Sequence, residues 1–224
     1  MSFELRLDSL HGRVIANPWL QFFTAVTRVL LAMAFVPSGL VKIQGHPFTT
    51  LPLTDPVGFF FAGFFQAQGF YRFVGVAQWT AAALLLITPT STLGAALYLP
   101  ISVNIFVITV SVGFQGTTYI TGMMLLANIY LICWDYDRWK GILPGFCGSR
   151  SFKPRNVSAS VMGLLILSAG VGISSVLAAS MARLRGNGMP LALVTLTAGA
   201  VLGLTALWRH YRATRPSRVT ERLS

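Results

Sequence analysis

A chain of 224 residues with 54% hydrophobic and only 10% charged side chains departs from soluble domains, in which about a quarter of residues are charged. Its formal net charge of +11 does not point to nucleic acid, because phosphate binding needs clustered Lys and Arg and here the charges lie in short segments flanking apolar runs. Two cysteines, Cys133 and Cys147, with no CxxC pair and no neighbouring histidine, support neither a thioredoxin-like thiol mechanism nor a metal site.

The first 18 residues carry Glu4, Arg6, Asp8 and Arg13 and read as a polar leader, 1–18, ahead of a retained apolar span rather than a cleaved signal. Span one runs from about Trp19 to Val41, with Arg28 as its one charge and Pro37-Ser38-Gly39 permitting a kink near its end. The connection that follows holds His46 and then Pro56 to Phe70, uncharged and rich in phenylalanine. Asp55 before Pro56 suits an N-cap. The segment is too short to cross and too apolar for a solvated loop, so it reads as a helix at the membrane interface.

From Phe73 to Trp134 the chain runs 62 residues without Lys, Arg, Asp, Glu or His. As helix this is ~90 Å, about three crossings of a ~30 Å hydrocarbon core. Turns at 88–92 and 113–118 divide it into spans two, three and four, the second starting near Arg72. A basic loop follows, with Asp135-Tyr136-Asp137 beside Arg138 and Lys140 reading as solvated and locally paired. Span five occupies about 157–181 and span six about 189–208, before an arginine-bearing tail.

The fold expected is therefore all-α and integral to the membrane, with six transmembrane helices and an interfacial Phe-rich helix between the first two. Six spans put both ends on one side. That side holds twelve Lys and Arg against four on the other, which places both termini in the cytoplasm and anionic lipids at that face.

Spans one to four each carry a polar residue at depth: Arg28, Gln78, Asn104 and Asn128. A buried arginine costs at least ~2.5 kcal/mol even on the most lenient scale and must find acceptors. No Asp or Glu falls within a span, so amides, hydroxyls, freed carbonyls or a bound anion are left to serve it. Two readings stand for the four residues: hydrogen-bonding glue between helices, or the lining of a pocket for a small polar or quinone-like ligand. Spans five and six lack such residues but carry Thr195, Gly199 and Gly203, and Ser168 and Gly172, at four-residue spacing. These permit close packing, either of the pair on itself or on a partner protein or second copy. His46 has no histidine or acidic cluster near it and reads as structural. No residue set reads as catalytic.

Arg28 with Pro37-Ser38-Gly39-Leu40-Val41-Lys42, the stretch Gly75-Val76-Ala77-Gln78-Trp79 through Leu84-Leu85-Leu86, and the ending Asn128 to Asp137 together resemble the DoxX-like family of bacterial membrane proteins. The resemblance covers about 19–143 and implies a four-helix membrane core in the bacterial inner membrane. The remaining divisions are then a basic loop at 144–156, a two-helix hairpin at 157–208 and a basic tail at 209–224. The resemblance also implies association with redox systems, since relatives are linked to quinone-coupled thiosulfate oxidation and to membrane oxidoreductase complexes. The function this suggests is an accessory or structural subunit of a membrane redox or energy-converting complex, with no intrinsic cofactor and with quinone or lipid in its polar interior. The alternatives are a quinone-linked oxidoreductase subunit, for which no haem-ligand pair, dinucleotide loop or cysteine cluster is present, and a small-solute transporter, for which no convincing repeat is found. Many members carry glutamate where this chain has Gln78, a departure that counts against a proton-accepting role there.

Overall fold

The computed structural model describes residues 3–140, 157–185 and 189–214, and these are predominantly helical with no strand among them. The expected basic loop at 144–156 with Cys147, and the tail beyond Thr214, lie outside the described residues, as does the side chain of Thr195. The helices are α1 (Phe3–Ala16), α2 (Pro18–Ile43), α3 (Pro56–Gln66), α4 (Gln68–Leu86), α5 (Ser91–Ser111), α6 (Thr117–Trp134), α7 (Tyr136–Lys140), α8 (Ala159–Arg185) and α9 (Met189–Thr214), with a 3-10 turn at Thr88–Thr90.

Among the described residues three helices are long and apolar enough to cross a membrane: Pro18–Ile43, Thr88–Ser111 (the turn and α5 together) and Thr117–Trp134. The other three expected spans are helical; of α8 only Ala159–Gly172 counts here, as a shorter apolar helix, and α9 is likewise only partly described, whereas α4 falls short of the measure. In α4 the reason is visible: its 19 residues include Gln68, Arg72, Gln78 and Thr80.

The chain divides into two compact units, 1–26 with 153–224, and 27–152, the boundary falling inside α2. In the first unit α8 and α9 form a close antiparallel hairpin. The Ser168 hydroxyl donates to the Gly199 carbonyl at 2.7 Å. A Cβ added at Gly199 would lie 3.3 Å from the Ser168 carbonyl oxygen and 3.6 Å from the Gly172 nitrogen, and one at Gly203 would lie 3.2 Å from Ser168 Oγ. In this structure the small residues serve the contact between α8 and α9. The C-terminal turns of α9 also meet the start of α2. His210, 7% exposed, bonds through Nε2 to the Pro18 carbonyl at 2.8 Å, and its ring packs on Phe22.

The 27–152 unit is organised by a buried stripe on α2: Arg28, Leu31, Ala32, Phe35, Gly39 and Lys42. These positions recur every three or four residues, so they fall on one face. Leu31, Ala32 and Phe35 join Ala81, Ala82 and Leu85 of α4, Ala95 and Tyr98 of α5, and Leu131 of α6 in one core. Phe35 and Tyr98 stack with ring centroids 3.7 Å apart, and the Tyr98 hydroxyl donates to the Leu31 carbonyl. Helices α2 and α4 touch through glycine. A Cβ at Gly75 would stand 2.8 Å from the Gly39 carbonyl oxygen, and one at Gly39 2.6 Å from Trp79 Cδ1. Contacts this close need the missing side chain.

Asp55 caps α3, its Oδ1 accepting from the Val57 amide at 2.8 Å, with Pro56 at the first position. The Phe-rich helix then folds its rings on one another and on α4: Phe64 and Phe65 pack edge-on against Tyr71, and Phe61 stacks on Phe48. His46 contributes its backbone, whose carbonyl accepts from the Tyr71 hydroxyl at 2.8 Å. The turn between α5 and α6 passes through Gly113 and Gly116 at φ 64° and 80°, a region open to glycine and strained for other residues.

Candidate functional site

The four polar residues expected at depth occupy three different environments in the 27–152 unit. Arg28 lies at one end of the bundle, Gln78 and Asn128 lie in its interior, and Asn104 lies outside it.

Arg28 is 5% exposed and Asp135 is likewise 5% exposed. Arg28 Nη2 stands 4.0 Å from Asp135 Oδ1, an ion pair beyond hydrogen-bond reach. The other carboxylate oxygen accepts a 2.5 Å hydrogen bond from the Thr92 hydroxyl and faces Arg138 Nη1 at 3.9 Å. Arg138 in turn donates to Thr92 Oγ1. Two expectations are corrected here. Arg28 does have an acidic neighbour, because the residue that ends α6 turns back into the bundle. Asp135 is not part of a solvated loop; it is the C-cap of α6, seven residues beyond Asn128 and four beyond Leu131, and so continues their buried face.

Gln78 is 1% exposed and Asn128 is 0% exposed. Antiparallel registers place them at one level. Gly94 of α5 seats against Leu84 and Leu85 of α4, so Gln78, seven residues earlier, falls level with Ile101. Asp135 meets Thr92 and Thr121 meets Thr109 at 2.9 Å, which puts Asn128 level with the turn 99–102. The buried Ser102 hydroxyl, bonded to the Leu99 carbonyl, lies at the same height. Gln78 Oε1 and both amide atoms of Asn128, Oδ1 and Nδ2, are buried without a hydrogen-bond partner. An unmet buried polar atom costs roughly 1–3 kcal/mol. Three at one level of one bundle form a polar layer with two acceptors and one donor unsatisfied.

Asn104 does not join them. It is exposed, and its amide donates to the carbonyl of Pro100 on its own helix at 2.8 Å. It stands two residues from buried Ser102, hence about 200° around α5. The expectation that it shares an interior cavity is overturned by that azimuth. Sequence reading also missed Thr92, Asp135, Arg138 and the Thr109–Thr121 pair. The available signal was periodicity: Asp135 continues the Asn128–Leu131 face, and Thr109 lies seven residues from Ser102.

Cys133 is a free, exposed thiol. Among the described residues no group of three or more His, Cys, Asp or Glu is placed to hold a metal. No family model, curated protein or solved structure matches the chain.

Proposed function

We propose that this chain is an accessory subunit of a membrane redox assembly, and that its 27–152 bundle holds the head group of a quinol-type molecule at the Gln78–Asn128 level. In this reading it is a DoxX-like protein of the bacterial inner membrane with six spans, both termini in the cytoplasm and a membrane-protein partner. The observation that carries the proposal is the set of three unpartnered amide atoms buried in the polar layer. Two are acceptors and one is a donor, and a hydroquinone matches them: its hydroxyls donate to two carbonyl oxygens while a ring oxygen accepts from the amide. Ligand sites between the helices of a bundle are mostly apolar with a small number of placed polar groups, and the surroundings of Gln78 and Asn128 have that composition.

The test is organic extraction of protein purified in mild detergent, with chromatography of the quinones recovered. Wild type is expected to retain quinone, and Gln78→Leu and Asn128→Leu to lose it while remaining helical by circular dichroism. Wild type free of quinone, or equal retention by both variants, refutes the reading. Reporter fusions at Ser2 and after Ser224 test the topology, with cytoplasmic signals expected at both ends.

A further inference from the structure

Arg28 is ion-paired but poorly served. Its guanidinium carries five N–H donors, yet among the described residues it makes no hydrogen bond, and its acidic neighbour stands at 4.0 Å. Asp135 cannot balance the cluster alone. It faces two guanidiniums, and one of its oxygens is occupied by the Thr92 hydroxyl. At ion-pair distance the two guanidiniums thus share a single carboxylate, and one of them belongs to a side chain 95% removed from solvent, a costly arrangement without further acceptors.

The surroundings favour an anion from outside the chain. Thr92 lies in the first turn of α5, whose N-terminal amides present partial positive charge. Arg138 is held over that turn by Thr92, and its side chain is 39% exposed, so the cluster opens at Arg138. Apolar Leu93 on α5 and Leu126 and Ile129 on α6 are exposed on the same two helices, at 60%, 63% and 43%. A flank of this kind suits an acyl chain.

We propose that Arg28 and Arg138 form a binding site for a phosphate-bearing anion, with Thr92 and Asp135 holding the two guanidiniums apart to receive it. Planar forks of this kind bind phosphate oxygens in pairs. A lipid head group and a free phosphate present the same chemistry. The site lies at a different level of the bundle from the Gln78–Asn128 layer and does not rest on the quinol reading.

The experiment uses full-length protein, delipidated in an uncharged detergent and free of phosphate. The thermal midpoint is followed by tryptophan fluorescence during titration with phosphatidylglycerol, phosphatidylcholine or inorganic phosphate, at ionic strength fixed with sodium chloride. Saturable stabilisation by phosphatidylglycerol but not phosphatidylcholine identifies a lipid head group. Saturable stabilisation by inorganic phosphate identifies a free anion. In either case Arg138→Gln is expected to weaken the apparent affinity about tenfold, the size of one charge-assisted contact. Should that variant not fold, Arg28→Lys keeps the charge, loses the fork and carries the same expectation. The proposal is overturned if neither anion stabilises the wild type, if phosphatidylcholine acts as well as phosphatidylglycerol, or if the folded variant responds as the wild type does.

Discussion

Replacing Asp135 with asparagine isolates the charge that holds Arg28. The two side chains have the same shape, and the Asn carbonyl still accepts from Thr92, so the hydrogen bond at that position survives in weakened form. What is lost is the Coulomb term with Arg28 at 4.0 Å, about 4 kcal/mol at an effective dielectric of about 20. The arm to Arg138, on a side chain 39% exposed, adds no more than about 1 kcal/mol because solvent screens it. Removing one partner of a buried pair costs about 3–5 kcal/mol by the general record. The expected loss is therefore about 3–4 kcal/mol, read as a shift in reversible unfolding by dodecyl sulfate in mixed micelles without phosphate. A double change, Arg28→Met with Asp135→Leu, is expected to recover most of it, because replacing a buried pair by apolar residues is often neutral or stabilising. The reasoning fails if Asp135→Asn costs less than about 1 kcal/mol, or if the double variant is no more stable than the single one.

Three further changes follow from the packing. Gly75→Ala places a Cβ 2.8 Å from the Gly39 carbonyl oxygen, and the overpacking is expected to cost about 1–3 kcal/mol in the same unfolding assay. Asn128→Leu removes two unmet polar atoms from the core and is expected to raise the stability of quinone-free protein by roughly 1–2 kcal/mol, whereas Asn104→Leu, at an exposed position, leaves it near the wild-type value. Thr109→Val breaks the 2.9 Å bond to Thr121, and a loss near 0.6 kcal/mol is expected, the typical measured value for such bonds between membrane helices.

The helices were legible because their signals are local. An uncharged run broken at Thr88–Thr90 and at Gly113 and Gly116 fixes where α5 and α6 begin and end, and Asp55-Pro56 marks the start of α3 as capping chemistry requires. The start of α4 slipped from Arg72 to Gln68 because Gln68-Gly69 carries no cap signal. The site was less legible, for geometric reasons. Depth along a helix follows from a count of residues, but direction around it depends on which face is buried. Asn104 has the right depth and the wrong face. Asp135 has the right face but falls just past the apolar run, where composition alone assigns it to solvent. The meeting of Arg28 with Asp135 depends on two helices far apart in sequence, which no local pattern encodes.

The two polar places in the bundle are separated by the apolar layer of Leu31, Leu85, Tyr98 and Leu131, closed by the Phe35–Tyr98 stack. Asn128 and Asp135 are seven residues apart on α6, about 10 Å along its axis, and share no hydrogen-bond partner. Changes at such a separation add to within about 0.5 kcal/mol when the sites are independent. The double variant Asn128→Leu with Asp135→Asn is therefore expected to show the sum of the two single effects, one stabilising and one destabilising. A coupling above about 1 kcal/mol would mean that the polar layer and the charged cluster form one network through the Phe35–Tyr98 stack. A quinol in the layer and an anion at Arg28 would then report on each other, and the two sites would have to be treated as one.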